Sequence, residues 1–280
     1  MAKKLITILI LLIFACDTGD LTVVTDLPRV LSEVSGIEKV NKFELFWMIN
    51  DSGNSPILFG LDSLGTIKKQ IKIKAKNHDW EDLASDKSGN LYIGDFGNNA
   101  NKRKDLVILK VINDSLNFEN IGVEQISFYF PEQKKFPPKV NDMHFDSEAF
   151  IYYNDSLFLF TKSRTKMSYG KTNLYKISAE KGNHKAEFIS SFTTCSDVGC
   201  WITSVDINEE ENKIAILTEH SVWIISDFNS SNFFSGTTTK YPFNHRSQKE
   251  SVLFKNDSTL YITDERSNGR GGKLYSFNIK

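Results

Sequence analysis

Short apolar stretches, rich in Val, Ile, Phe and Tyr, recur along the whole chain and are separated by Gly, Asn and Asp. No long window repeats apolar residues at the three-four spacing of a helix, so the pattern predicts strands joined by tight turns. One unit is repeated. It opens with a small or polar residue and an acid, continues as a short apolar strand, turns at Gly, Asn or Asp, and returns as a strongly apolar strand ending in a polar residue. Its copies start at residues 33–37, 81–85, 147–152, 203–207 and 249–254, with return strands at 45–51, 91–94, 157–162, 213–219 and 260–265. Third strands follow at 57–61, 106–111, 173–177, 222–225 and 273–279, and fourth strands at 66–73, 123–130, 186–192 and 237–243.

The fifth copy lacks a fourth strand, and the N-terminal run 21–25 is apolar enough to supply it. Such closure hides the free edges of both termini. The expected fold is therefore all-β, a five-bladed β-propeller whose last blade is closed by the N-terminal strand. A six-bladed propeller is the alternative; its extra blade has to come from residues 113–141, where too few strands are visible. Repeats of roughly 40 to 60 residues suit propeller blades.

The first fifteen residues follow a different pattern. Lys3 and Lys4 precede an apolar run, residues 5–14, that is too short to span a bilayer and ends in Ile13-Phe14-Ala15-Cys16. This reads as a lipoprotein signal peptide over 1–15, with Cys16 lipidated and 16–280 a single propeller domain. The expectation is a cell-envelope protein, on the periplasmic face or the cell surface, that touches the membrane through its lipid anchor only. Cys195 and Cys200 are then the remaining cysteines, and outside the cytoplasm such a pair forms a disulfide more often than a metal site. A zinc site needs further Cys or His ligands, and none stands close in sequence.

The chain of 280 residues carries 25% charged residues and a formal net charge of −1. That balance excludes a nucleic-acid binder reliant on a basic field. The 40% hydrophobic content is ample for a core and excludes disorder. No Gly-x-Ser-x-Gly elbow or phosphate loop occurs, and the five histidines are scattered. His78 and His144 each stand just ahead of an acid-bearing strand and are the candidate general bases.

In a propeller the first strand of each blade lines the channel, so Glu81, Glu148, Asp206 and Glu250, with Glu33, are expected to converge. Either a hard cation such as Ca2+ relieves their repulsion, or each accepts hydrogen bonds from backbone amides of a neighbouring blade. A second group, Asp51, Asp95, Asn98, Arg103, Lys162 and Glu265, falls where inner strands give way to loops. It suits recognition of a polar or anionic ligand, or a ring of structural salt bridges.

Four motifs carry a resemblance: Asn-Asp-Ser-Gly-Asn at 50–54, Asp-Trp-Glu-Asp at 79–82, Gly-Asp-x-Gly-Asn-Asn-x-x-x-Arg at 94–103, and Asp-x-Glu-Ala from Asp146 ahead of a strand ending in Thr161-Lys162. Nearly the whole mature chain resembles a group of uncharacterised extracytoplasmic lipoprotein propellers, whose wider relatives look like phytase-like and SdiA-regulated propeller domains. Some of those bind calcium in the central channel, so the resemblance implies a Ca2+ site. A more distant likeness is to five-bladed calcium-dependent nucleotidases, whose arginine-rich motifs are not clearly present. Two functions follow as expectations. One is a monomeric binding or scaffold module for a polar small molecule or an envelope protein. The other is a Ca2+-dependent hydrolase of phosphate esters.

Overall fold

Each strongly apolar run becomes a strand covered on both faces, and the alternation of its side chains divides it between two cores. In the return strand Phe46–Asn50, Phe46 and Met48 pack toward Leu253 and Leu274 of the last blade, while Trp47 and Ile49 pack toward Trp80, Leu83 and Ile93 of the next. Five such hydrophobic clusters fill the five seams between blades. Burial on both sides is why these runs read as continuous apolar segments rather than as alternation.

The computed structural model describes residues 18–40, 43–166, 168–210 and 212–279, so the expected signal segment 1–15 and Cys16 lie outside the described residues. The strands form five sheets, all-β with five blades. From the channel outward, blade 1 is Val34–Lys39, Phe46–Asn50, Ile57–Leu61 and Ile67–Ile73. Blade 2 is Trp80–Ser85, Leu91–Asp95, Val107–Val111 and Glu124–Tyr129. Blade 3 is Asp146–Tyr153, Ser156–Lys162, Lys171–Ser178 and Glu187–Thr193. Blade 4 is Ile202–Asn208, Lys213–Thr218, Ser221–Ser226 and Thr237–Pro242. Blade 5 is Lys249–Asn256, Thr259–Asp264 and Lys273–Asn278, completed by the N-terminal strand Thr22–Asp26.

Segment 113–141 builds no sixth blade. It forms a 3-10 turn, Asn113–Asn117, the outer strand of blade 2, and a second 3-10 turn, Val140–Asp142. It also contributes a short strand, Asn120–Ile121, that pairs in parallel with the outer strand of blade 1. Gly182–Lys185 does the same for blade 2. Both cover edges that would otherwise be open, and two-residue or polar pairings of this kind carry little pattern to read in sequence.

Every inner strand carries a β-bulge near its start. The pairing slips between Val34 and Gly36, Trp80 and Asp82, Ser147 and Ala149, Ile202 and Ser204, and Lys249 and Ser251. The extra residue is Ser35, Glu81, Glu148, Thr203 and Glu250 in turn. Bulges re-aim a side chain that the regular pleat would direct elsewhere. At Gly36 the inner strands of blades 1 and 2 come so close that a Cβ would lie 2.9 Å from Leu83 N.

Candidate metal centre

The bulges set the register of the channel acids, and that register corrects the alignment expected from sequence. Glu81, Glu148 and Glu250 occupy equivalent bulge positions, but the equivalents in blades 1 and 4 are Ser35 and Thr203, not Glu33 and Asp206. Glu33 is exposed on the rim, its carboxylate 2.5 Å from Asn54 Nδ2. Asp206 lies three residues further along its strand, toward the opposite mouth. There it accepts a hydrogen bond from Phe254 N at 2.6 Å and faces Glu38. Burial first, then the Asp206 charge, pushes Glu38 up to about 8. Between the two mouths Asp82 is buried, accepting from Phe150 N at 3.4 Å and from Ser204 Oγ at 3.3 Å across the channel. Backbone amides of a neighbouring blade therefore satisfy Asp82 and Asp206.

The mouth where the inner strands begin is different. Carboxylate oxygens of Asp51, Asp79 and Glu81 lie within 4.8 Å of one another. None of the three forms an ion pair among the described residues. Burial first, then the charges of Glu148, Asp51, Asp79 and Asp146, pushes Glu81 well above the usual carboxylate range. Burial and Asp51 push Asp79 up to about 6. On the far side of the mouth burial raises Glu250 to about 7, against the pull of Lys162. Burial and Glu250 together raise Glu265 to about 8.

The four sequence motifs build this mouth in layers. Asn77 Nδ2 donates to the carbonyls of Asn50 and Asp51 at 3.0 and 2.9 Å, fixing the start of the loop that carries Asp51. Asp95 accepts from Asp79 N at 3.2 Å and from His78 Nδ1 at 3.2 Å, so it holds the segment that presents Asp79 and Glu81. Arg103 Nη2 in turn grips Asp95 Oδ1 at 2.9 Å, and its Nη1 donates to Gly97 O at 3.0 Å. Asn98 ties this loop to blade 3, its N donating to Asp146 Oδ1 at 2.7 Å and its Oδ1 accepting from Arg103 N at 2.9 Å. Asp95, Asn98 and Arg103 thus act as a brace behind the carboxylates. Gly97 is required for close approach, because a Cβ there would collide with Glu81 and Asp79.

Lys162 Nζ sits 2.6 Å from Glu148 Oε2. Burial, the largest influence, lowers the lysine, but the charges of Glu148, Asp146 and Glu250 together outweigh it and hold Lys162 above its ordinary value. Sequence reasoning missed two neighbours. Arg164 joins Asp146 at 2.6 Å and Glu148 at 3.2 Å. Trp201 lies 4.8 Å from the Arg164 guanidinium and 5.4 Å from Lys162 Nζ, and its Nε1 donates to Ser163 O at 2.6 Å. The one available signal was position, since both residues stand beside the ends of channel-side strands. Cys195 and Cys200 are disulfide-linked, with Cα atoms 5.5 Å apart, in the loop that ends at Trp201. His144 Nδ1 is 3.0 Å from Ser163 Oγ, in the same quarter of the rim.

The donor set near Glu81 is all carboxylate oxygen, which suits a hard cation such as Ca2+ or Mg2+ and not zinc. At the equivalent position of blade 4, Thr203 Oγ1 is buried with no hydrogen-bond partner. A cavity of about 540 Å³ opens at the other mouth beside Glu38 and Asp206. Those acids accept from Phe254 N and Lys39 N, and at the Glu81 mouth Asp51 accepts from Ser52 N while Asp79 and Glu81 stand beside it.

No protein-family model and no curated protein matches the chain. Among solved structures it is similar to a gluconolactonase, XC5397 from Xanthomonas campestris, at 9% identity and TM-score 0.50, covering 95% of this chain and 96% of that one. A putative gluconolactonase aligns at 8% identity and TM-score 0.48, covering 94% and 95%. At such identities the likeness concerns the fold. The neighbours are gluconolactonase-like β-propellers, and they do not single out the phytase-like or SdiA-regulated branch that the motifs resemble.

Proposed function

We propose that this chain is a lipid-anchored envelope propeller whose channel mouth holds a divalent cation, Ca2+ fitting best, and binds a polar, oxygen-rich ligand there. The convergence of Asp51, Asp79 and Glu81 within 4.8 Å, without an ion pair among the described residues, carries this reading. Three like charges so close in a partly dehydrated mouth repel, and a cation of higher charge relieves all of them together. Such an ion supplies a Lewis-acid contact for a ligand oxygen. Lys162 and Arg164, charged and backed by the Trp201 ring, would line the ligand's anionic side. Metal analysis of untreated protein tests this. One bound ion, lost in Asp51→Asn with Glu81→Gln, is the expected result; no ion in the untreated protein refutes it.

His78 favours the second reading, a metal-dependent hydrolase. Its Nδ1 is held 3.2 Å from Asp95 while about half of the side chain remains exposed, the arrangement of an oriented general base. Purified mature protein should then turn over phosphate monoesters, nucleotides or, given its structural neighbours, lactones. EDTA should abolish the activity. His78→Gln should lower kcat while leaving the ion content unchanged. Absence of turnover on all three classes leaves the binding module as the function.

A further inference from the structure

The two faces of the propeller differ in exposed charge. On the carboxylate-mouth face, the loops entering the inner strands of blades 2 and 3 and the hairpin loop at 96–106 expose Lys76, Lys102, Lys104, Lys134, Lys135 and Lys139. The turns of the opposite mouth present Asp86, Asp155, Glu209, Glu210 and Asp257; of the exposed lysines there, Lys87 is paired with Glu209 at 2.8 Å and Lys39 with Glu44 at 3.2 Å, and Lys255 lies 5.4 Å from the Tyr261 ring. On the first face Asp51, Asp79 and Glu81 are recessed in the channel; Glu33, Asp105, Glu132 and Asp142 are exposed among the lysines, and Asp105 is paired with Arg103 at 3.2 Å.

One loop on this face is both basic and apolar. Between blades 2 and 3 it exposes Lys134, Lys135, Phe136, Lys139 and Val140, with Val140 66% and Phe136 36% exposed. Lys104 Nζ lies 4.9 Å from the Phe136 ring. The base of the loop is fixed, since Gln133 Nε2 donates to Asn101 O at 2.8 Å and Asp142 N to Lys139 O at 2.8 Å.

The N-terminus reaches the same face. Thr18 Oγ1 donates to Leu21 O at 2.7 Å and Asp20 N to Phe243 O at 2.9 Å. Asn244 Nδ2 donates to Asp20 Oδ2 at 2.7 Å. Phe243 and Asn244 begin the loop that enters the inner strand of blade 5. Cys16 and Asp17 alone separate the predicted lipid from this fixed chain, a reach of about 7 Å at ~3.5 Å per residue. An attachment that short keeps the body within about one Debye length, ~8 Å, of the lipid headgroups.

We propose that the carboxylate-mouth face lies against an anionic lipid surface, with residues 134–140 forming a second contact across the face from the N-terminal lipid. Lysines beside partly exposed aromatic and aliphatic side chains are the composition of an interfacial contact: the cations meet phosphate groups while Phe136 and Val140 enter the headgroup boundary. This goes beyond the anchor itself, because the loop and charge asymmetry act without the lipid.

The test uses the mature chain with Cys16→Ser and vesicles containing phosphatidylglycerol or phosphatidylcholine only. The unlipidated protein should sediment with phosphatidylglycerol vesicles, weaken as salt is raised, and ignore phosphatidylcholine. Replacing Lys134, Lys135 and Lys139 with Gln should cut partitioning on the order of a hundredfold, at roughly fivefold per lysine near an anionic surface. Lys39→Gln with Lys255→Gln, at the opposite mouth, should change nothing. Equal partitioning to both vesicle types, or an unaffected triple variant, overturns the proposal. Binding to polyglutamate but not to phosphatidylglycerol also overturns it and assigns the face to an acidic protein. Absence of fatty-acid labelling at Cys16 would refute the anchor while leaving this test intact.

Discussion

In EDTA the protein should become less stable as pH rises from 5 to 8, and Ca2+ should reverse that loss. Glu250 is raised from 4.5 to about 7, with burial the leading cause. A carboxyl raised in the folded state contributes stability that is fully present below its unfolded value and is lost as pH climbs through the folded one. The gap corresponds to roughly 3 kcal/mol as an upper bound, at ~1.36 kcal/mol per unit. Glu265 and Asp79 move in the same direction but are more open to water, which screens them, so they add less. Saturating cation at a hundred times its Kd adds about 2.7 kcal/mol. For a domain of this size each kcal/mol moves Tm by ~2–4 °C, so Ca2+ should raise Tm at pH 8 by roughly 5–10 °C. At pH 5 the cation must displace protons from Asp79 and Glu81, and the gap should close. Thermal melts at pH 5, 6.5 and 8, with Ca2+ or EDTA, read this directly. Glu81→Gln provides the sharper check. It removes a charge that four neighbouring carboxylates oppose, so it should raise Tm in EDTA at pH 8 while abolishing the response to Ca2+. A Glu81→Gln protein that is less stable than wild type in EDTA, or that still responds to Ca2+, refutes the reasoning.

Gly97→Ala should weaken the Ca2+ response at least tenfold in apparent Kd, with the far-ultraviolet circular dichroism retained, because its methyl group displaces Glu81 and Asp79. Lys249 is fully buried beside His245 and Ser247, and burial lowers it to about 8 despite Asp264 and Glu219. Its charge therefore costs the folded state below pH 8, and the cost fades as pH rises toward the unfolded value near ~10.4. Lys249→Met should add about 1–3 kcal/mol at pH 7 in a denaturant melt and flatten the rise in stability between pH 8 and 10. Cys16→Ser should abolish fatty-acid labelling in the native host; persistent labelling counts against the anchor. Unreduced peptide mapping should recover Cys195 linked to Cys200, and two alkylatable thiols in native protein would contradict the pairing.

The strands, their order and the closure of the last blade by residues near the N-terminus were legible in the sequence. A strand buried between two seams needs apolar residues at nearly every position, and a hairpin turn needs Gly, Asn or Asp, so both leave a mark that survives without tertiary information. Trp80 shows how far this reaches. Its place beside Glu81 put it on the opposite side of the strand, and it fills the seam between blades 1 and 2. The channel chemistry was legible only in kind. Acids recur at the inner strands, yet which of them occupy the bulge position, and so which mouth each one faces, has no signature in residue type. Glu81 and Asp206 look equivalent in sequence and are three positions apart in register. Charge balance was equally hidden. Arg103 looks like a ligand-binding cation until its partners are seen to be Asp95 and Gly97, and Arg164 attracts no notice until folding sets it between Asp146, Glu148 and Trp201. Strand formation depends on neighbours along the chain. The pairing of a charge, or its lack, depends on what other blades bring within a few ångströms, and the tertiary structure alone decides that.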